Sequence, residues 1–252
     1  MTLTPLSFLI VCPLLFLAGF VDSIGGGGGL ISLPAYLLAG LPVHQAIATN
    51  KLSSTCGTCL STVRFLRRGL INLKLAVPSV IAAFAGSSLG ARLSLLVSDE
   101  IMKYVLFAVL PVAAFFVLNR HLFRDRGGEA VADRKTAVIC IVSALLIGAY
   151  DGFYGPGTGT FLIIAFTVFA RMSVSSANAQ AKVINLTSNV TSLAVFLLNG
   201  QVMLPLGLAA ALCNMAGNWL GSGLALTRGA KIVRPVILAV LLLLFLKIII
   251  GF

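Results

Sequence analysis

Charge is what this sequence has least of. Of its 252 residues 10% are charged, only seven are acidic, and no Lys or Arg precedes Lys51. An ordinary soluble domain carries roughly a quarter charged residues. With 59% hydrophobic residues and a mean hydropathy of +1.06, this chain could not hide its apolar surface from water. The expected solvent is lipid. Leu3–Val21 reads as a first membrane span; without a basic n-region or a small-residue cleavage site before a soluble domain, it does not read as a cleaved signal peptide. The net charge of +11 is assigned to Lys and Arg retained on the cytoplasmic side. Nucleic acid is not an expected partner, because no basic segment is interleaved with exposed aromatics.

Histidine is nearly absent, with two residues, and the five cysteines are an odd number with no disulfide framework in their spacing. Cys56-Gly-Thr-Cys59 has CxxC spacing, the basis of an alternative reading as a membrane redox scaffold. It lies within a long apolar segment with no second pair and no nearby His, so packing by small residues is the preferred reading. His44 reads as a surface histidine. No metal, cofactor or enzymatic activity is expected.

Breaks at Gly, Pro and charge clusters divide the chain into ten apolar segments: 3–21, 30–40, 44–66, 73–97, 101–119, 135–150, 160–170, 174–198, 202–226 and 232–252. Helices of the second and seventh would be only about 18 Å long, short of a bilayer's apolar core. The sequence also repeats itself. "GFVDSIGGGGG" answers "GAYDGFYGPGTG", with Gly19/Gly148 and Asp22/Asp151 both 129 apart; Lys51/Lys182, Gly69/Gly200, Gly86/Gly217 and Gly90/Gly221 are each 131 apart. Matched turns differ in charge: "RFLRRGLINLK" is basic where "LLNGQVML" is neutral, and "TRGAKIVR" is basic where its partner holds Asp99 and Glu100. If every segment crosses, all strongly basic turns fall on one side. The expected fold is therefore all-α and polytopic: two inverted repeats of five transmembrane segments, residues 1–119 and 135–252, joined by a cytoplasmic connector at 120–134. The second segment of each repeat is short and preceded by a Gly-rich break. Both termini would be periplasmic.

Interrupted helices are not tolerated facing lipid, but they can line a polar cavity. Each glycine stretch here precedes a short helix whose first N–H groups and positive dipole end suit an anion. The backbone around Gly26, Gly27, Gly28, Gly157 and Thr158 is the expected cradle. Gly86-xxx-Gly90 and Gly217-xxx-Gly221 lie in unbroken apolar sequence and read as close helix packing. Asp22, Lys51, Asp151 and Lys182 are the intramembrane charges common to both halves, and buried charges are unfavourable in lipid unless paired or functional. Lys51 and Lys182 are the candidate anion-binding cations, flanked by the small polar side chains of Thr49, Asn50, Ser53 and Ser54 in one half and of Gln180, Asn185 and Asn189 in the other. A scaffold role would instead have each lysine neutralise an aspartate. Asp22 and Asp151 are the candidates for proton coupling.

"AGFVDSIGGGGGLISLP", "ATNK", "GAYDGFYGPGTG" and "NAQAKVINLTSN" together resemble the TauE/SafE sulfite exporter family of bacterial membrane proteins, over essentially the whole chain. The resemblance implies a transporter in the bacterial inner membrane. Its substrate would be a small sulfur-bearing anion such as sulfite, sulfoacetate or a related sulfonate. The residues alone give only "anion", a carboxylate or a channel for one included. The expected partners are that anion and the bilayer, with a homodimer as one oligomeric option.

Overall fold

The computed structural model describes residues 4–102, 104–105, 108 and 133–228. These form eight long or medium helices: α1 (Pro5–Gly25), α2 (Gly29–Leu38), α3 (Val43–Arg67), α4 (Leu73–Leu96), α5 (Arg134–Phe153), α6 (Thr158–Val168), α7 (Val174–Leu198) and α8 (Leu204–Arg228). A further helical stretch begins at residue 99. The expected connector and the last apolar segment lie essentially outside the described residues. Pro5–Gly25, Leu73–Leu96, Arg134–Phe153 and Val174–Leu198 are each long and apolar enough to cross a membrane, whereas α2 and α6 are short apolar helices.

Local chemistry sets the helix ends. Pro5 opens α1, where its missing N–H is not needed. Asn72, Asp133 and Ser173 cap α4, α5 and α7 by accepting from the backbone amides of Lys74, Thr136 and Ser176. Hydrogen bonds from the Thr136 hydroxyl and amide hold the Asp133 carboxyl below the usual carboxylate range. The matched glycines Gly69 and Gly200 close α3 and α7 in the same way, with φ of 68° and 65°. Leu70 N–H bonds Phe65 O at 3.3 Å and Gln201 N–H bonds Phe196 O at 3.0 Å, the six-residue closure that follows a left-handed glycine.

Polarity is distributed inside out. Along α4, Leu73, Val77, Ile81, Phe84, Leu93 and Leu96 are exposed, while Ala76, Ser79, Ala83, Gly86, Ser87 and Gly90 are buried. Lipid gives apolar helices no hydrophobic reason to associate, so contact goes through small residues that let backbones approach. A Cβ at Gly90 would lie 1.9 Å from the Ala149 carbonyl oxygen, and one at Gly86 2.2 Å from that of Leu145. On the other side of the molecule, Gly217 and Gly221 meet the Phe16 and Phe20 carbonyls at 2.0 and 2.3 Å in the same sense. The four glycines expected to serve close packing do so.

These contacts sort the helices into two bundles. α1, α2, α3 and α8 pack together, as do α4, α5, α6 and α7, and α3 meets α7 between them. Each bundle thus takes its fourth helix from the other half of the sequence. α3 and α7 are antiparallel: Lys51 reaches Asn189, whereas Thr62, further along α3, reaches Lys182, earlier on α7. The ends of α3 and α7 at Arg67 and Leu198 therefore lie at opposite ends of this pair.

His44 corrects an expectation. Its side chain is only 12% exposed, and it is no free surface group. Its backbone N–H donates to Asp99 Oδ1 at 3.1 Å, and its ring nitrogens meet Asp99 Oδ1 and, at 2.8 Å, the Ser94 carbonyl. The start of α3 is thereby tied to the end of α4.

Candidate functional site: a charged cavity between two helix breaks

The glycine run breaks the backbone less than its length suggests. Gly25 is still helical and Gly29 already begins α2, so the interruption is Gly26–Gly28, with Gly26 left-handed (φ 80°) and its N–H on Asp22 O. In the other half the chain leaves α5 at Tyr154 and turns through Gly155 (φ 105°) and Gly157 (φ 89°) into α6. Only glycine reaches such φ values readily. The two breaks abut. A Cβ on Gly26 would sit 2.3 Å from Gly159 C, and one on Gly29 2.9 Å from Pro156 Cα. Thr160 Oγ1 donates across the junction to Gly25 O (3.1 Å) or Gly26 O (3.0 Å). Asn178 Nδ2 donates to Ser23 O and Ile24 O, carbonyls left free where α1 stops.

Between the breaks lies a cavity lined by Asp22, Gly26, Gly28 and Gly29, by Asn50, Lys51 and Ser54 of α3, by Asp151, Gly155, Gly157, Thr158 and Gly159, and by Asn185 and Asn189 of α7. One wall belongs to each bundle. The space open to the centre of a water molecule is about 20 Å³, enough for one water.

The four intramembrane charges form two ion pairs, and both cross between the bundles and between the sequence halves. Lys51 Nζ is 2.9 Å from Asp151 Oδ2, and Lys182 Nζ is 2.6 Å from Asp22 Oδ2. Lys51 also donates to Asn189 Oδ1 at 3.2 Å, and Lys182 to the Asp22 backbone carbonyl. Asp151 accepts further from Thr158 Oγ1 at 2.7 Å and from Ser188 Oγ. Formal charge in the site is therefore balanced in this conformation. That is the arrangement a scaffold role demands, and an anion entering here must compete with a carboxylate for its lysine.

Of the residues expected to bind anion, Lys51, Asn50, Asn185, Gly26, Gly28, Gly157 and Thr158 line the cavity. The others lie elsewhere. Lys182 is buried beneath Asp22. Thr49 Oγ1 accepts from Met203 N–H, Ser53 accepts from the Tyr36 hydroxyl at 2.9 Å, and Gln180 donates to Asn72 O. Gly27 is not part of the lining. Ser54 and Asn189, expected beside the lysines, are on the lining as well. Gly29, Gly155, Gly159 and Ser188 were not among the expected residues. Lys182, Asn185 and Asn189 recur at helical spacing on one face of α7, with Ser188 beside them, so the signal for Ser188 was in the sequence. Cys56 is half-buried and Cys59 exposed on α3, and no cluster of three metal-binding side chains occurs among the described residues.

Apolar helix faces turned outward, and a charged cavity closed by two helix breaks, define a multi-pass membrane transporter. Residues 11–248 match the family model described as sulfite exporter TauE/SafE, and the chain belongs to that family. It is 39% identical to a probable membrane transporter protein, ORF9, of Sinorhizobium sp, over 93% of this chain and 88% of that one. It is 37% identical to a probable membrane transporter protein of Haemophilus influenzae (88% and 86% covered) and 35% identical to the probable membrane transporter protein YfcA of Escherichia coli K12 (93% and 89%). These relatives are named as probable membrane transporters, and the chain, as a member of the family, is a membrane transporter and not an enzyme. No solved structure matches it.

Proposed function

We propose that this protein is a secondary transporter of a small sulfur-bearing anion, sulfite or an organosulfonate such as sulfoacetate, working by alternating access and coupled to protons. The observation that carries the reading is the cavity between two apposed helix breaks, crossed by two lysine–aspartate pairs. First-turn amides and a lysine favour an anion there. The aspartates hold the lysines when no anion is present, and proton uptake by an aspartate releases its lysine to the substrate. The family description supplies the sulfur oxyanion.

The proposed architecture is two inverted repeats of five segments in the bacterial inner membrane, with both termini periplasmic. Helix bounds support it, since Val43/Val174 and Arg67/Leu198 are each 131 apart, and so does the antiparallel course of α3 and α7. The positive-inside rule then puts Arg67 and Arg68 in the cytoplasm and the uncharged Asn199 turn outside.

Purified protein in liposomes should take up labelled sulfite or sulfoacetate saturably, with stimulation by a pH gradient. Thiosulfate and small carboxylates complete the panel. Transport of carboxylates alone would overturn the substrate assignment, and non-saturating flux would mean a channel.

A further inference from the structure

The two ion pairs match in sequence but not in surroundings. Both oxygens of Asp151 are engaged: Oδ1 accepts from Thr158, Oδ2 from Lys51 and Ser188, and the side chain is 3% exposed. Asp22 Oδ2 accepts from Lys182, no described residue donates to Oδ1, and the side chain is 15% exposed and lines the cavity. The cause is legible in the repeat. Thr158 answers Gly29 and Ser188 answers Gly57, so the two hydroxyls beside Asp151 have no counterparts beside Asp22. The fold also resists their addition. A Cβ on Gly29 would lie 2.9 Å from Pro156 Cα, and one on Gly57 would have to displace the buried side-chain amides of Asn214 and Asn218.

We propose that the repeat-related aspartates have divided duties: Asp22 is the proton-accepting carboxylate, at Oδ1, and Asp151 is a fixed anchor positioned by Thr158 and Ser188. This rests on the proton-coupled reading above. Three donors hold the Asp151 carboxylate, and a proton there would turn a hydroxyl away from it, Thr158 to Gly155 O or Ser188 to Asn185 O, whereas a proton on Asp22 Oδ1 displaces none. Asp22 faces Lys182 from α7, and its cavity also holds Lys51 of α3 and Asp151 of α5. α2 and α6 bring glycines and Thr158 to that cavity, and α8 meets α1 through Gly217, Gly221 and Asn214. Protonation takes the site from formal neutrality to one net positive charge and weakens the hold of Asp22 on Lys182, so one proton and one monovalent anion, hydrogensulfite or a monosulfonate, enter together and charge balances.

Infrared difference spectra of the full-length protein in detergent, between high and low pH and without added anion, test this. A water-shielded carboxyl band should appear in the wild type, be lost in Asp22→Asn and persist in Asp151→Asn. If Asp151→Asn does not fold, Thr158→Val/Ser188→Ala decides: freeing Asp151 should add a second band that survives when Asp22→Asn is combined with it. A wild-type band that survives Asp22→Asn, no shielded band in the wild type, or no second band in the hydroxyl-free variant overturns the assignment. Because no substrate is present, the spectra judge Asp22 independently. Liposomes that take up no sulfur anion would overturn the transport reading instead.

Discussion

The Lys51–Asp151 pair offers the most direct test of what holds the cavity together. Both side chains are almost fully buried, Nζ and Oδ2 are 2.9 Å apart, and each keeps different company once the other is removed. Lys51→Gln leaves Asp151 with the Thr158 and Ser188 hydroxyls. It forfeits one charge-assisted bond, about 1.5–3 kcal/mol. Asp151→Asn is expected to be worse. It strands an ammonium whose one other described acceptor is Asn189 Oδ1 at 3.2 Å, and it withdraws the carboxylate from two hydroxyl donors. Removing one member of a buried pair costs about 3–5 kcal/mol. The Lys51→Gln/Asp151→Asn double variant strands no charge and should lose less than Asp151→Asn alone, giving a coupling of at least about 1.5 kcal/mol.

Denaturant unfolding of the four proteins in detergent gives the stability cycle, and calorimetric titration with sulfite gives binding. Single losses that simply add, to within about 0.5 kcal/mol, would refute the ion pair as a structural bond. Stability recovered together with anion binding in the neutral double variant would refute Lys51 as a ligand cation. Recovered stability with binding still lost is the expected result.

In a cysteine-free background, single cysteines at Arg67 and Arg171 should label only from the cytoplasm and one at Asn199 only from outside; labelling of Arg67 and Asn199 from the same side would sink the inverted topology. Gly90→Leu should part α4 from α5 and lower detergent stability by about 1–3 kcal/mol or more, because even a Cβ would lie 1.9 Å from Ala149 O; an unchanged unfolding midpoint would contradict that packing. Replacing Cys56 and Cys59 together by Ser should leave liposome uptake intact, and its abolition would revive the redox alternative. His44→Ala should destabilise the start of α3 by about 1 kcal/mol, read as faster amide hydrogen exchange there; no change would mean that the Asp99 contact is idle.

Much of the architecture was legible because lipid simplifies the code. Segment 174–198 is α7 to the residue, and the 131-residue offset of the glycines recurs in the bounds of α3 and α7. Turn glycines and small-residue packing are local or periodic signals, which a sequence carries openly. Contact partners are not. Nothing in the spacing says that Lys51 reaches Asp151, a hundred positions away, instead of an aspartate of its own half. Thr49, Ser53 and Gln180 are equally polar and close to the lysines along the chain, yet each is engaged elsewhere by tertiary contact, whereas Asn50, Ser54, Asn185 and Asn189 face the cavity. Helical phase separates these groups: Ser53 and Ser54 are neighbours in sequence but stand about 100° apart around α3, and Ser54 is the one on the lining.

The exchange of fourth helices decides what can move. If the sequence halves rocked as bodies, α1 would have to pull away from α8 and α4 from α5, where glycines let backbones approach more closely than a methyl group permits. Parting those seams forfeits dense packing with nothing from lipid to replace it. The boundary between the bundles also holds a close glycine contact, Gly26 against Gly159, but it is otherwise polar. It contains the cavity and is crossed by both ion pairs and by the Thr160 and Asn178 bonds to the end of α1. Motion on the proposed transport cycle therefore belongs to the α1–α2–α3–α8 bundle against the α4–α5–α6–α7 bundle. A cavity with room for one water must widen along that boundary before a sulfonate can enter. Widening there separates both lysines from their aspartates at once, and the incoming anion supplies the charge that the lysines then lack. Substrate entry, ion-pair exchange and bundle movement are on this reading a single step.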